Sequence, residues 1–142
     1  RHMAALHDIP ADVANERIEG YLDRFDLTEA ADRRIEGYST GMRKKVGLIQ
    51  SVLHEPAVIF LDEPTAGMSP EETEAVMSLI HKLCSKMGLT ILLCEHDMNV
   101  VFSIAQSIMV MHQGRTIIQD TPQIIRENSE VQEAYLGETD SC

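Results

Sequence analysis

No apolar run in the sequence approaches the ~20 residues that a membrane-spanning helix requires. The richest stretch, Leu89 to Cys94, is short and stops at Glu95. No charged-then-apolar leader opens the chain, and Arg1-His2-Met3 reads as a cloning remnant ahead of a native Ala4. Cysteine is scarce: Cys84, Cys94 and Cys142 are odd in number and far apart, which fits free thiols in a reducing cytoplasm better than a disulfide framework or a zinc site. Basic residues are few, 12 against 23 acidic ones, leaving a formal net charge of −11. That balance argues against nucleic-acid binding and against docking on anionic lipid through a basic face, so membrane attachment is expected only through a protein partner. There is no internal repeat and no low-complexity linker. None of the eight glycines begins a Gly-x-x-x-x-Gly-Lys-Ser/Thr loop, so the usual cradle for β- and γ-phosphates is missing.

What is present is ordinary for a globular chain: 142 residues, 44% hydrophobic and 25% charged, enough for one domain with a real core. Ala11 to Phe25 carries Val13, Ile18, Leu22 and Phe25 at approximately helical spacing, and Thr28 is expected to cap a short helix through Arg33. Ser39 and Thr40 precede a helix with an apolar stripe of Met42, Val46, Ile49, Val52 and Leu53, ended by Pro56. Ala57 to Leu61 reads as a fully buried strand. Ser69-Pro70-Glu71-Glu72 is a capping box with proline at the first helical position. Val76, Leu79, Ile80, Leu83 and Met87 give that helix its buried face, and Gly88 terminates it. Thr90 to Cys94 reads as a second buried strand, Asp97 as the cap of a helix from Met98 to about Ala105. Ile108 to Met111 and Thr116 to Gln119 read as strands joined by a turn at Gln113-Gly114. Thr121-Pro122 starts a helix, and Ser129-Glu130-Val131-Gln132 is a second capping box. The order strand, helix, strand, helix predicts an α/β fold, a mostly parallel sheet flanked by helices.

In such sheets chemistry collects at the carboxyl ends of the strands. That rule selects Asp62-Glu63 and Glu95-His96. Of two adjacent carboxylates, one can hold a hard cation such as Mg²⁺ while its neighbour orients or deprotonates a water. For two acids after any strand, a solvated pair is the better reading; here they sit in the longer pattern Val58-Ile59-Phe60-Leu61-Asp62-Glu63-Pro64-Thr65. Upstream, Ser39 supplies a hydroxyl and Gly41 a close backbone approach at a helix start whose free amides favour an anion, although for Ser-Thr-Gly alone a plain cap is the better reading. His2, His7, His54, His81 and His112 read as surface or packed residues.

Taken together, three segments resemble the ATP-binding subunits of ABC transporters. Val58 to Thr65 looks like that family's Walker B strand, Tyr38-Ser39-Thr40-Gly41-Met42-Arg43-Lys44-Lys45 stands at its signature segment, and Leu93-Cys94-Glu95-His96-Asp97 looks like its switch-histidine loop. The resemblance implies that Asp62 serves Mg²⁺, that Glu63 polarises the hydrolytic water and that His96 bonds the γ-phosphate of ATP or that water. It implies that Ser39, Thr40, Gly41 and Met42 close over the γ-phosphate held by a second ATPase subunit. Thr40 stands where the family has glycine and Met42 where it has glutamine. Ala66-Gly67-Met68-Ser69 takes the place of the subunit-contacting loop, with Ser69 where aspartate is usual.

Residues 1–37 then resemble the end of the helical subdomain and 38–142 the signature segment with the later part of the ATPase core. The expectation is a partial domain, inactive alone, and more readily a fragment than a naturally short protein. Ala66 to Glu72, Glu95 to Val101 and the ending Val131 to Gly137 are similar to the branched-chain amino-acid uptake group, whereas Tyr38 to Met42 is closer to exporters. The resemblance implies transmembrane permease partners and a cytoplasmic position on the inner face of the membrane, without direct insertion. An exporter ATPase, a non-transport ABC ATPase and a non-catalytic interaction or regulatory module remain the alternatives.

Overall fold

The computed structural model describes residues 2–136; Arg1, Gly137 and Cys142 lie outside the described residues. The chain divides into two compact units, Arg1–Glu95 and His96–Cys142.

The first unit opens with helix α1 (His2–Leu6), which takes in two residues of the expected remnant, and α2 (Ala11–Arg24). The buried residues of α2 are Ala14 and Tyr21, followed by Phe25 at its end; Val13, Ile18 and Leu22 are only half-buried. Thr28 begins a single 3-10 turn (Thr28–Ala30) and caps nothing. Helix α3 (Thr40–Val52) starts where Ser39 accepts a hydrogen bond from the Met42 amide at 3.2 Å. Before Pro56, which disfavours helical geometry at the preceding residue, Glu55 takes a left-handed φ of 53°. Its carboxylate meets Arg17 at 2.7 Å.

Strand β1 (Val58–Asp62), helix α4 (Pro70–Met87) and strand β2 (Thr90–Cys94) form a βαβ unit, with β1 and β2 parallel and Val58 opposite Thr90. The α4 capping box is present in both halves, and Gly88 ends the helix at a φ of 63°, a conformation that glycine adopts without steric penalty. Val76, Met77, Leu79, Ile80 and Leu83 are buried, while Met87 is exposed. The two strands are not fully buried. Ile59 is buried and Leu61, Ile91 and Leu93 half-buried, whereas Val58, Phe60, Leu92 and Cys94 on the opposite face are exposed, Phe60 at 74%.

The second unit holds α5 (Met98–Ile104), capped by Asp97 through the Asn99 and Val100 amides. Strands β3 (Ile108–His112) and β4 (Arg115–Asp120) form an antiparallel hairpin of their own, so among the described residues parallel pairing is confined to β1 and β2. Gln113 and Gly114 both have positive φ, 49° and 77°, as tight hairpin turns demand. Helix α6 (Pro122–Glu127) follows. Helix α7 (Ser129–Val131) is capped by Asn128, whose Oδ1 accepts from the Val131 amide at 3.0 Å, so the cap falls one residue before the expected Ser129. Ile108, Val110, Ile125 and Val131 make the core of this unit, with Phe102 and Ile118 packed against it.

Candidate functional site

The carboxyl end of β1 delivers Asp62 and Glu63 to solvent side by side. Asp62 closes the strand opposite Cys94. Glu63 leaves it with a left-handed φ of 44°, an uncommon state for a residue with a Cβ that persists only where its surroundings hold it. The hold is visible. The Glu63 amide donates to the Cys94 carbonyl at 2.9 Å, and its carbonyl accepts from the Ala66 amide at 3.1 Å and from Lys44 Nζ at 2.9 Å. Two residues on, Thr65 is buried and donates from both its amide (3.1 Å) and its hydroxyl (2.6 Å) to Oε1 of Glu95. Oε2 of Glu95 is buried without a hydrogen-bond partner among the described residues. The turn after β1 is therefore tied to α3 by a lysine and to the end of β2 by a carboxylate.

The start of α3 forms a second cluster. Ser39 Oγ donates to Oε1 of Glu72 at 2.7 Å, and the Gly41 amide donates to the same oxygen at 3.3 Å. The other Glu72 oxygen accepts from the Ser69 amide at 3.4 Å. Glu72 thus brings Ser39, Gly41 and Ser69 together. These contacts, that with Ser39 first, hold its carboxyl below the ordinary glutamate range. Ser69 Oγ, which also caps α4, donates to Glu71 at 2.7 Å and lowers that carboxyl too. Thr40 Oγ1 accepts from Arg43 at 3.3 Å, and Met42 contributes its amide to the Ser39 cap. Lys44, Phe60, Asp62, Pro64 and Ile80 line a concavity of about 160 Å³ between α3, β1 and α4.

The first unit thus sets two carboxylates at a parallel-strand end and ties their turn by Lys44 to a helix that opens Ser-Thr-Gly. The sequence pattern described as ABC transporter matches residues 2–66, which include Ser39 to Met42, Lys44, Asp62, Glu63 and Thr65. The chain is 38% identical over 141 residues to the high-affinity branched-chain amino acid transport ATP-binding protein BraF of Pseudomonas aeruginosa, covering 96% of this chain and 55% of BraF. The chain belongs to the ABC transporter ATPase family. It is also 38% identical over 125 residues to LivG of Escherichia coli, of the same description, covering 88% of this chain and 49% of LivG. Among solved structures, cbiO1 of Clostridium perfringens, part of the ABC transporter complex cbiONQ, superposes with a TM-score of 0.77 at 30% identity, over 88% of this chain and 50% of that one. The chain therefore spans about half the length of the curated relatives it matches.

Within this ABC ATPase chain, His96 is exposed and is the first residue of the second unit, in the bend between Glu95 and the α5 cap Asp97. No group of three or more His, Cys, Asp or Glu side chains that could hold a metal occurs among the described residues. Asp62 is exposed at the carboxyl end of β1, a single carboxylate of the kind that Mg²⁺ takes along with waters and substrate phosphates. Sequence reasoning named Lys44 and Thr65 only as members of longer segments, without a role, took Glu72 only as part of a cap, and placed Glu95 at a strand end without its contact to Thr65. The one local signal was the capping box, which placed Glu72 at the start of α4 without revealing its second set of partners.

Proposed function

We propose that this chain is the later part of the ATP-hydrolysing subunit of an ABC transporter of the branched-chain amino-acid uptake type. In the complete protein, Ser39 and Gly41, with Thr40 and Met42 beside them, contact the terminal phosphate of an ATP bound by a second ATPase subunit. Ser69 lies at the same subunit boundary. Asp62 holds Mg²⁺ through oxygen, and the ion neutralises charge on the phosphates when bound. Glu63 orients the attacking water and takes its proton as the new oxygen–phosphorus bond forms and the bond to ADP breaks. His96 donates to the γ-phosphate or to that water. Catalysis of this kind is positioning and electrostatic stabilisation. Permease subunits hold the ATPase at the inner face of the membrane; no helix among the described residues is long and apolar enough to cross one.

The observation that carries the reading is Glu63. An acidic residue is fixed in an unfavourable backbone conformation by three hydrogen bonds, from two other segments and its own turn. Asp8, Asp26 and Glu55 share the left-handed φ; what sets Glu63 apart is that its restraint falls at the carboxyl end of a parallel strand, beside Asp62. The test compares nucleotide affinity and hydrolysis in a full-length ATPase carrying this sequence. Asp62→Asn is expected to weaken Mg²⁺-dependent ATP binding, while Glu63→Gln and His96→Ala keep affinity and lose turnover. Equal affinity in Asp62→Asn and wild type would remove the metal assignment. Similarity to BraF and LivG along most of the chain supports the uptake group; co-purification with permease subunits and their substrate-binding protein tests it.

A further inference from the structure

Glu72 has more partners than a helix cap requires. As the third residue of α4 it completes the capping box with Ser69, and one oxygen on the Ser69 amide is sufficient for that. The other oxygen sits on Ser39 Oγ at 2.7 Å and on the Gly41 amide at 3.3 Å. These are two donors of the kind that a helix start presents to an anion. The approach is close: a Cβ on Gly41 would lie 2.7 Å from Oε1 of Glu72 and 2.8 Å from its carboxyl carbon. Any side chain at position 41 would push the carboxylate away. The Ser39 hydroxyl has a single proton. It is donated to Glu72 while the oxygen accepts from Met42, so it cannot also be donated to a phosphate.

We propose that Glu72 is an internal anion that holds the Ser39 and Gly41 donors and competes for them with the terminal phosphate of ATP. The inference rests on the reading of Ser39 and Gly41 as phosphate contacts. When phosphate arrives, Glu72 must swing off Ser39, because two anions repel and share one hydroxyl proton. The Ser69 amide, 3.4 Å from its second oxygen, remains as a partner, so α4 keeps its cap. Glu72 is thus a positioning residue for the signature segment and a threshold against premature closure of the dimer.

The test uses a full-length ATPase carrying this sequence. Glu72→Gln keeps side-chain length and an acceptor for the cap but removes the charge. Its KM for ATP should fall about threefold to tenfold, the scale of one charge-assisted contact at a partly exposed site. In a Glu63→Gln background, where ATP should trap the dimer, adding Glu72→Gln should lower the ATP concentration for half-maximal dimerisation by a similar factor. A merely structural Glu72 predicts a KM that is unchanged or raised, and that result overturns the proposal. If Glu63→Gln traps dimers and the double variant shifts nothing, Glu72 fails and the functional reading stands. If Glu63→Gln neither traps nor slows turnover, both fall. Independently of ATP, the Glu72 carboxyl followed by NMR should titrate below ordinary glutamate in this chain and move up in Ser39→Ala; an unmoved value means the contact is not made.

Discussion

The Ser39 hydroxyl accepts from the Met42 amide and donates to Glu72, so one small side chain caps α3 and joins it to α4. Ser39→Ala should remove both contacts and destabilise the chain by about 0.5–2 kcal/mol, the range for losing an N-cap, measured by urea denaturation. The pH dependence has a definite sign. Glu72 is held below its ordinary range, first by Ser39. Its stabilising share is thus present above the unfolded-state value and is lost as pH falls through the lower folded-state value. The Tm difference between wild type and Glu72→Gln should shrink in acid below the ordinary glutamate range and hold steady above it. Neither Glu72 nor Lys44 could be assigned these partners from sequence. Their contacts join residues 33 and 19 positions apart, and no local periodicity reports a pairing of that kind. The positions of Asp62 and Glu63 at a strand end and of Ser39 at a helix start, by contrast, were legible because those features are local.

At the scale of elements, the βαβ unit was readable because its signals are short-range: a capping box with proline, an apolar helical stripe, a terminating glycine. Gly88→Ala should cost about 1–2 kcal/mol, since its φ of 63° is left-handed and a Cβ there meets the following carbonyl. Ile80, 1% exposed, should cost about 2–5 kcal/mol on truncation to alanine. Both are checked by chemical denaturation. Two caps were misplaced, Thr28 and Ser129. At the second, Asn128 is an equally good acceptor one residue earlier and takes the Val131 amide, and sequence offers no means of ranking adjacent caps. The strands were the larger misjudgement. Continuous apolar residues in β1 and β2 predict cover on both faces, yet Val58, Phe60 and Leu92 face outward among the described residues. Composition reports what a strand can bury, and the neighbours present decide what it does bury.

For the whole molecule, that outward face and a net charge of −11 act against each other. An exposed apolar sheet favours association, while like charge opposes it over about a Debye length. The purified chain should self-associate, more strongly as salt screens the repulsion, and Phe60→Lys should weaken it. Light scattering that finds a clean monomer at high concentration and high salt would contradict this. With no phosphate-binding loop in its sequence, the chain alone should show no Mg²⁺-ATP turnover; activity that survives further purification and disappears in Glu63→Gln would contradict that. The central claim is that Glu63 performs the chemistry beside Asp62, and the most direct measurement is ATP turnover by Glu63→Gln in a full-length ATPase carrying this sequence. The account predicts a fall of about 10²–10⁴ in rate, the usual scale for losing a general base, with ATP affinity retained. Turnover at the wild-type rate would contradict it.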